Sequence, residues 1–228
     1  MRTPHLDAQY ERELQEIRVG LARTGARAEG MVRNSVRAIL ERDPALARLV
    51  VADDKELDQL EVDLDQECVQ LLARRAPVGQ DLRLVMTALK SVVDMERMGD
   101  LAEHIAQRSI ELTTTLGIEA QPECVAIASA VQVNVERVML ALAHEDGTTA
   151  RAVIGADNAI DDLHNQHLRR LIQLAKDHPG QLERTLAWAS VSRHLERISD
   201  HACNVAEMVV FLAEGQMMRH GGPRASRS

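Results

Sequence analysis

Met95-Glu96-Arg97-Met98-Gly99-Asp100-Leu101-Ala102 is restated one hundred residues later as Leu195-Glu196-Arg197-Ile198-Ser199-Asp200-His201-Ala202. An eight-residue pattern that keeps Glu, Arg, Asp and Ala in register, and swaps apolar for apolar at Met95/Leu195 and Met98/Ile198, is the mark of an internal repeat. Working outward, Asp54-Lys55-Glu56-Leu57-Asp58 meets Asp157-Asn158-Ala159-Ile160-Asp161 at an offset of 103, and Asn34 to Leu40 aligns by shared Asn, Arg and Leu with Asn134 to Leu140. The three extra residues of offset are absorbed in the connections near Pro77 and Pro179. The second half of the chain therefore repeats the first.

Helix breakers divide each half into three. Pro44, Pro77, Pro122 and Pro179, the Glu145-Asp146-Gly147 turn and the Thr113–Gly117 stretch separate six segments, roughly 5–43, 45–75, 80–114, 122–145, 148–177 and 180–214. Each is long enough for several helical turns, and short connections make consecutive helices antiparallel. Leu82, Val85, Leu89 and Val93 recur at spacings of three and four, as do Leu182, Leu186 and Ala189, which reads as one apolar stripe on each third helix. The expected fold is all-α, two duplicated three-helix bundles of six long antiparallel helices, over residues 1–117 and 118–215, with 216–228 as a flexible tail.

Composition agrees. Of 228 residues 45% are hydrophobic, yet only Tyr10, Trp188 and Phe211 are aromatic, so the core is built from Leu, Val, Ile, Ala and Met. With 27% charged residues this suits long packed helices and argues against sandwiches, barrels and disorder. So few aromatics also disfavour a stacking platform for single strands, and a formal charge of −8 disfavours nonspecific nucleic-acid or direct membrane binding. Cys68, Cys124 and Cys203 form no CxxC pair and read as small, reduced core residues. Without a secretory-type leader or a long apolar run, the expectation is a cytoplasmic protein.

The chemistry lies in carboxylates spaced four apart: Asp54 with Asp58, Glu96 with Asp100, Asp157 with Asp161, and Glu196 with Asp200. Such pairs share a helix face. With 35 acids in the chain about five would arise by chance, but chance pairs would not recur at aligned positions of both halves. Glu96 and Asp100 also continue the Leu82–Val93 stripe. Like charges on a partly buried face call for a neutralising cation. An all-oxygen donor set suits Mg²⁺, Ca²⁺, Mn²⁺ or iron and argues against a structural zinc site. His104 and Asn204, one turn beyond Asp100 and Asp200, are possible additional donors. Arg97 and Arg197 are expected to point away from the carboxylate face as exposed, salt-bridging residues.

The stretches Ala76-Pro77-Val78-Gly79-Gln80-Asp81-Leu82-Arg83, Asp94 to Ala102 and Leu195 to Glu207 resemble the PhoU family of bacterial phosphate-signalling regulators. The resemblance covers nearly the whole chain, with mild departures such as Met98 where Ile is usual. It implies metal ions or small clusters (Mg, Mn, Ca, Fe or Zn) held by Asp54, Asp58, Glu96 and Asp100 in the first bundle and by Asp157, Asp161, Glu196 and Asp200 in the second. It also implies a non-enzymatic, cytoplasmic negative regulator of the phosphate-starvation response. Its partners would be the ATPase subunit of a high-affinity phosphate ABC transporter and a phosphate-sensing histidine kinase, with contact to the membrane only through them and with homodimer formation possible. The alternative from the residues alone is a carboxylate-bridged metalloenzyme, a hydrolase or oxidase, since bridging carboxylates can activate water or oxygen. Against it, the chain offers no convincing proton-transfer pair, and it carries no Gly-rich phosphate loop or kinase signature.

Overall fold

The computed structural model describes residues 8–113 and 121–216. Six helices follow in order: α1 (Ala8–Glu41), α2 (Pro44–Arg75), α3 (Gly79–Glu111), α4 (Pro122–His144), α5 (Gly147–Asp177) and α6 (Leu182–Glu214), with a 3-10 turn at Pro179–Gln181 before α6. The expected helical segments are all present, although the expected boundary near 117 and residues 217–228 of the expected tail lie outside the described residues.

The connections show why the chain turns where it does. Asp43 caps α2 by accepting from the backbone N–H of Ala45 and Leu46 at 2.9 and 3.0 Å, with Pro44 at the first helical position. Asp146 caps α5 in the same way, from Thr148 and Thr149 at 2.9 and 3.2 Å. The preceding residues, Arg42 and Glu145, both take positive φ, and Asp43 N–H and Asp146 N–H reach back to Ala38 O and Ala141 O at 2.9 and 2.8 Å. These two turns are superimposable in their bonding at an offset of 103.

That offset corrects the sequence alignment of the first helices. Ala28, Met31, Val32, Val36, Ala38 and Ile39 of α1 are buried, and so are Val131, Asn134, Val135, Met139, Ala141 and Leu142 of α4, each 103 residues on. Matching Asn34 to Asn134 shifted α4 by nearly one turn, because identity of three polar and apolar letters outweighed burial. The third helices keep the offset of 100: Ala88, Val92, Met95, Met98 and Ala102 match Trp188, Ser192, Leu195, Ile198 and Ala202, all buried.

The two bundles share one contiguous core. α3 packs against α6 at the centre, α2 and α5 flank them, and α1 meets α4. Leu84, Val85, Ala88, Val92, Met95 and Met98 form the buried seam of α3, whereas Leu82 and Val93 are 39% and 45% exposed and Leu89 is half-buried. Leu182 and Leu186 are exposed too, at 51% and 60%. Of the α3 stripe read from sequence Val85 lies in the seam, while Leu82, Leu89 and Val93 border it, because the small buried Ala88 and Ser91 pass unnoticed in a count of large apolar side chains. Cys68, Cys124 and Cys203 are free and buried. Among the described residues α4 alone is long and apolar enough to cross a membrane, and Ile127, Val131, Val135 and Val138 on it are buried inside the bundle.

Candidate metal centres

The first candidate site sits where α2 crosses α3. Leu57 and Leu60 anchor α2 inward, leaving Asp54 half-buried and Asp58 exposed on its flank. Gly99 makes the approach possible: a Cβ there would stand 2.1 Å from Leu57 Cδ2. One carboxylate oxygen from each of Asp54, Asp58 and Asp100 then lies within 4.8 Å of the others. Two helices thereby bring three acids to one point.

Electrostatics mark this cluster as strained in the absence of a cation. Burial, then the charges of Asp58, Glu103 and Asp100, push the Asp54 carboxyl up to about 6, and its Oδ1 is buried without a hydrogen-bond partner. Burial, then Asp100, pushes Glu96 up to about 7. Its side chain is only 15% exposed. Arg97 is exposed and salt-bridging as expected, but it turns back onto the acids instead of pointing away, with Nη1 3.0 Å from Asp100 Oδ2 and Nε 3.4 Å from Glu96 Oε2. A single exposed guanidinium leaves most of the local negative charge uncompensated.

Glu61 and Glu103 belong to the same field and were not singled out from sequence. Burial raises the Glu61 carboxyl, opposed by Arg97 and reinforced by Asp58 and Asp100. Their signal was available: each lies seven residues beyond Asp54 or Glu96, two turns along the same face. His104 is exposed, lowers the Asp54 carboxyl slightly and sets its ring 5.3 Å from that of His194 on α6.

The second site keeps the plan but not the convergence. Asp157 and Asp161 on α5 are half-buried, as is Glu196 on α6, while Asp200 is exposed. Ser199, in the place of Gly99, donates from Oγ to Asp157 Oδ1 at 2.9 Å and so satisfies the acid whose counterpart, Asp54, has an orphaned oxygen. Burial raises Glu196, Arg193 opposes, and Asp200 and Asp161 reinforce the rise. Glu196 Oε2 is buried without a partner. Among the described residues no third carboxylate oxygen joins two others here as Asp100 does in the first bundle. Asn204 is not turned to this site: its Nδ2 donates to Asp94 Oδ1 at 2.8 Å, where His201 Nδ1 also lies at 2.8 Å.

The first cluster fits a hard cation, since it supplies oxygen donors, an orphaned carboxylate atom and excess negative charge at one point. Twice-repeated acid-bearing bundles also match a known domain: residues 21–109 and 125–209 each fit the PhoU domain. The chain belongs to the PhoU family. It is 37% identical, over 96% of its own length and 91% of its relative's, to a Pseudomonas aeruginosa protein named phosphate-specific transport system accessory protein PhoU homolog. It is 28% identical to the Escherichia coli PhoU of that system, over 96% of this chain and 90% of that one. The crystal structure of PhoU from Pseudomonas aeruginosa superimposes with a TM-score of 0.86 at 36% identity, covering 91% of this chain and all of that one. A Streptococcus pneumoniae PhoU structure, at 24% identity and a TM-score of 0.83, shares the fold. The PhoU fold is therefore two repeats of one three-helix unit around a common core.

Proposed function

We propose that this protein is a non-enzymatic accessory regulator of a phosphate-specific transport system, working in the cytoplasm as a rigid helical adaptor. The observation that carries this reading is kinship across both bundles with proteins named for that role. Its finer content is that the protein links the transporter's ATPase subunit to a phosphate-sensing histidine kinase and holds the starvation response down when phosphate is plentiful. Reporter expression from phosphate-starvation promoters in cells lacking the protein tests this. Derepression in high phosphate is expected, and unchanged repression would contradict it.

The acids supply the second half of the proposal. Asp54, Asp58 and Asp100, with Glu96 beside them, hold a hard cation in the first bundle; Asp157, Asp161, Glu196 and Asp200 do so in the second. A bound cation there neutralises carboxylates that would otherwise repel one another and ties α2 to α3 and α5 to α6. Bridging acids from two helices of each bundle makes the metal a staple for the partner-binding face. Elemental analysis of protein purified without chelators tests it, alongside thermal stability on adding Mg²⁺, Mn²⁺ or iron. Bound metal and a raised Tm are expected, and absence of both would remove the acids from this role.

A further inference from the structure

His167 lies on α5 in the core of the second bundle, 0% exposed, and neither ring nitrogen has a hydrogen-bond partner among the described residues. One turn earlier, His164 is also buried, with Nδ1 2.8 Å from Ser192 Oγ on α6. That contact and the Ser199–Asp157 bond fix the antiparallel register of α5 and α6, which sets His167 level with Trp188 and Ala189. Trp188 is buried as well, and its indole N–H has no partner. From α4 comes Glu123, whose Oε1 pairs with Arg170 at 3.1 Å and whose Oε2 is buried and unpaired. The groups that act on His167 are thus Glu123 from α4 and His164 and Arg170 from α5, while Arg193 from α6 bears on His164.

A buried neutral imidazole can be tolerated in such a place. A buried imidazolium without a hydrogen-bond acceptor is costly, because the charged form loses its hydration and gains only the attraction of Glu123 in exchange. Among the described residues of the first bundle no histidine is buried: the position equivalent to His167 at the offset of 103 is Leu64, buried in the same way. We propose that His167 is a proton-sensitive element that makes the second bundle, and not the first, open in acid.

Burial lowers the His167 ring from 6.5 to about 4, opposed by Glu123 and reinforced by His164 and Arg170. The unfolded bundle therefore binds the proton more readily than the folded one between those values, and stability falls as pH drops through 6.5 toward 4. From pH 7.5 to 5.5 the opening equilibrium of the second bundle should rise about ten-fold through His167, on top of a contribution of the same sign from His194 on α6, where burial also lowers the ring to about 4.

Amide hydrogen exchange on the full chain at those two pH values, corrected for intrinsic exchange, reads this directly. Amides of α4–α6 should lose at least about ten-fold in protection, and His167→Leu, which installs the first bundle's residue, should remove about ten-fold of that loss and leave the part due to His194. His167→Gln provides a polar, non-titrating second variant should the leucine misfold. A His167 ring resonance that stays flat by NMR from pH 8 to 5 is also expected. A change below two-fold in the wild type, an unaltered pH response in both variants, or a His167 titration midpoint near 6.5 would each overturn the proposal.

Discussion

The two carboxylate sites descend from one sequence pattern and differ by what stands beside it. In the first bundle Gly99 lets α2 press against α3 until Asp54, Asp58 and Asp100 converge, with Glu61 and Glu103 adding charge. In the second, Ser199 fills the glycine's place and donates to Asp157, and His164 and Cys203 stand where Glu61 and Glu103 stand. The helices and turns survive duplication because burial patterns fix them. The sites drift apart because one hydroxyl or one acid, at the half-exposed edge of the same helices, changes the local charge without disturbing the core. The first site gathers unrelieved negative charge that a cation would neutralise, and the second has supplied part of the remedy from its own side chains.

The comparison breaks most sharply at Gly99. Gly99→Ala forces Leu57, fully buried, out of its position, and should destabilise the protein by about 1–3 kcal/mol in chemical denaturation while weakening metal uptake. Ser199→Gly, which makes the second site resemble the first, removes one hydrogen bond to Asp157 and should cost about 1 kcal/mol in the same experiment. A larger loss at Ser199 than at Gly99 would reverse the account of which contact sets helix spacing.

Charge gives a smaller effect of opposite sign. In metal-free protein, Asp100→Asn relieves repulsion on Asp54 and Glu96 and should stabilise by about 0.5 kcal/mol, whereas Asp200→Asn, at an exposed position, should do less. Denaturant midpoints in the presence of chelator measure both. Smallest of all is the expected thiol chemistry: burial holds Cys68 and Cys124 up at about 12, so a thiol reagent at pH 8 should leave the folded protein untouched and react only on unfolding.

Much of this organisation was legible in the sequence, for identifiable reasons. Helix boundaries followed Pro44, Pro77, Pro122 and Pro179 and the Glu145-Asp146-Gly147 turn, since backbone chemistry there is local; the Asp43 and Asp146 caps were found only in the structure. The register of α4 was not legible from Asn134, which is buried and matches Met31 instead. The acid pairs were visible because a spacing of four is a property of one helix. That Asp100 meets Asp54 and Asp58, while Asp200 stays exposed, depends on how closely two helices pack. That closeness rests on Gly99 and Leu57, a contact between residues 42 positions apart. His167 was passed over because a histidine in a helix shows nothing of its burial until α4 and α6 are placed around it.

The central claim, that the first bundle holds its cation more firmly than the second, is tested most directly by metal titration of metal-free protein by calorimetry. The wild type, Asp100→Asn and Asp200→Asn should be compared side by side. Two classes of site are expected, with Asp100→Asn abolishing the tighter one and Asp200→Asn affecting only the weaker. Loss of the tighter class in Asp200→Asn, or identical titrations in all three proteins, would contradict it.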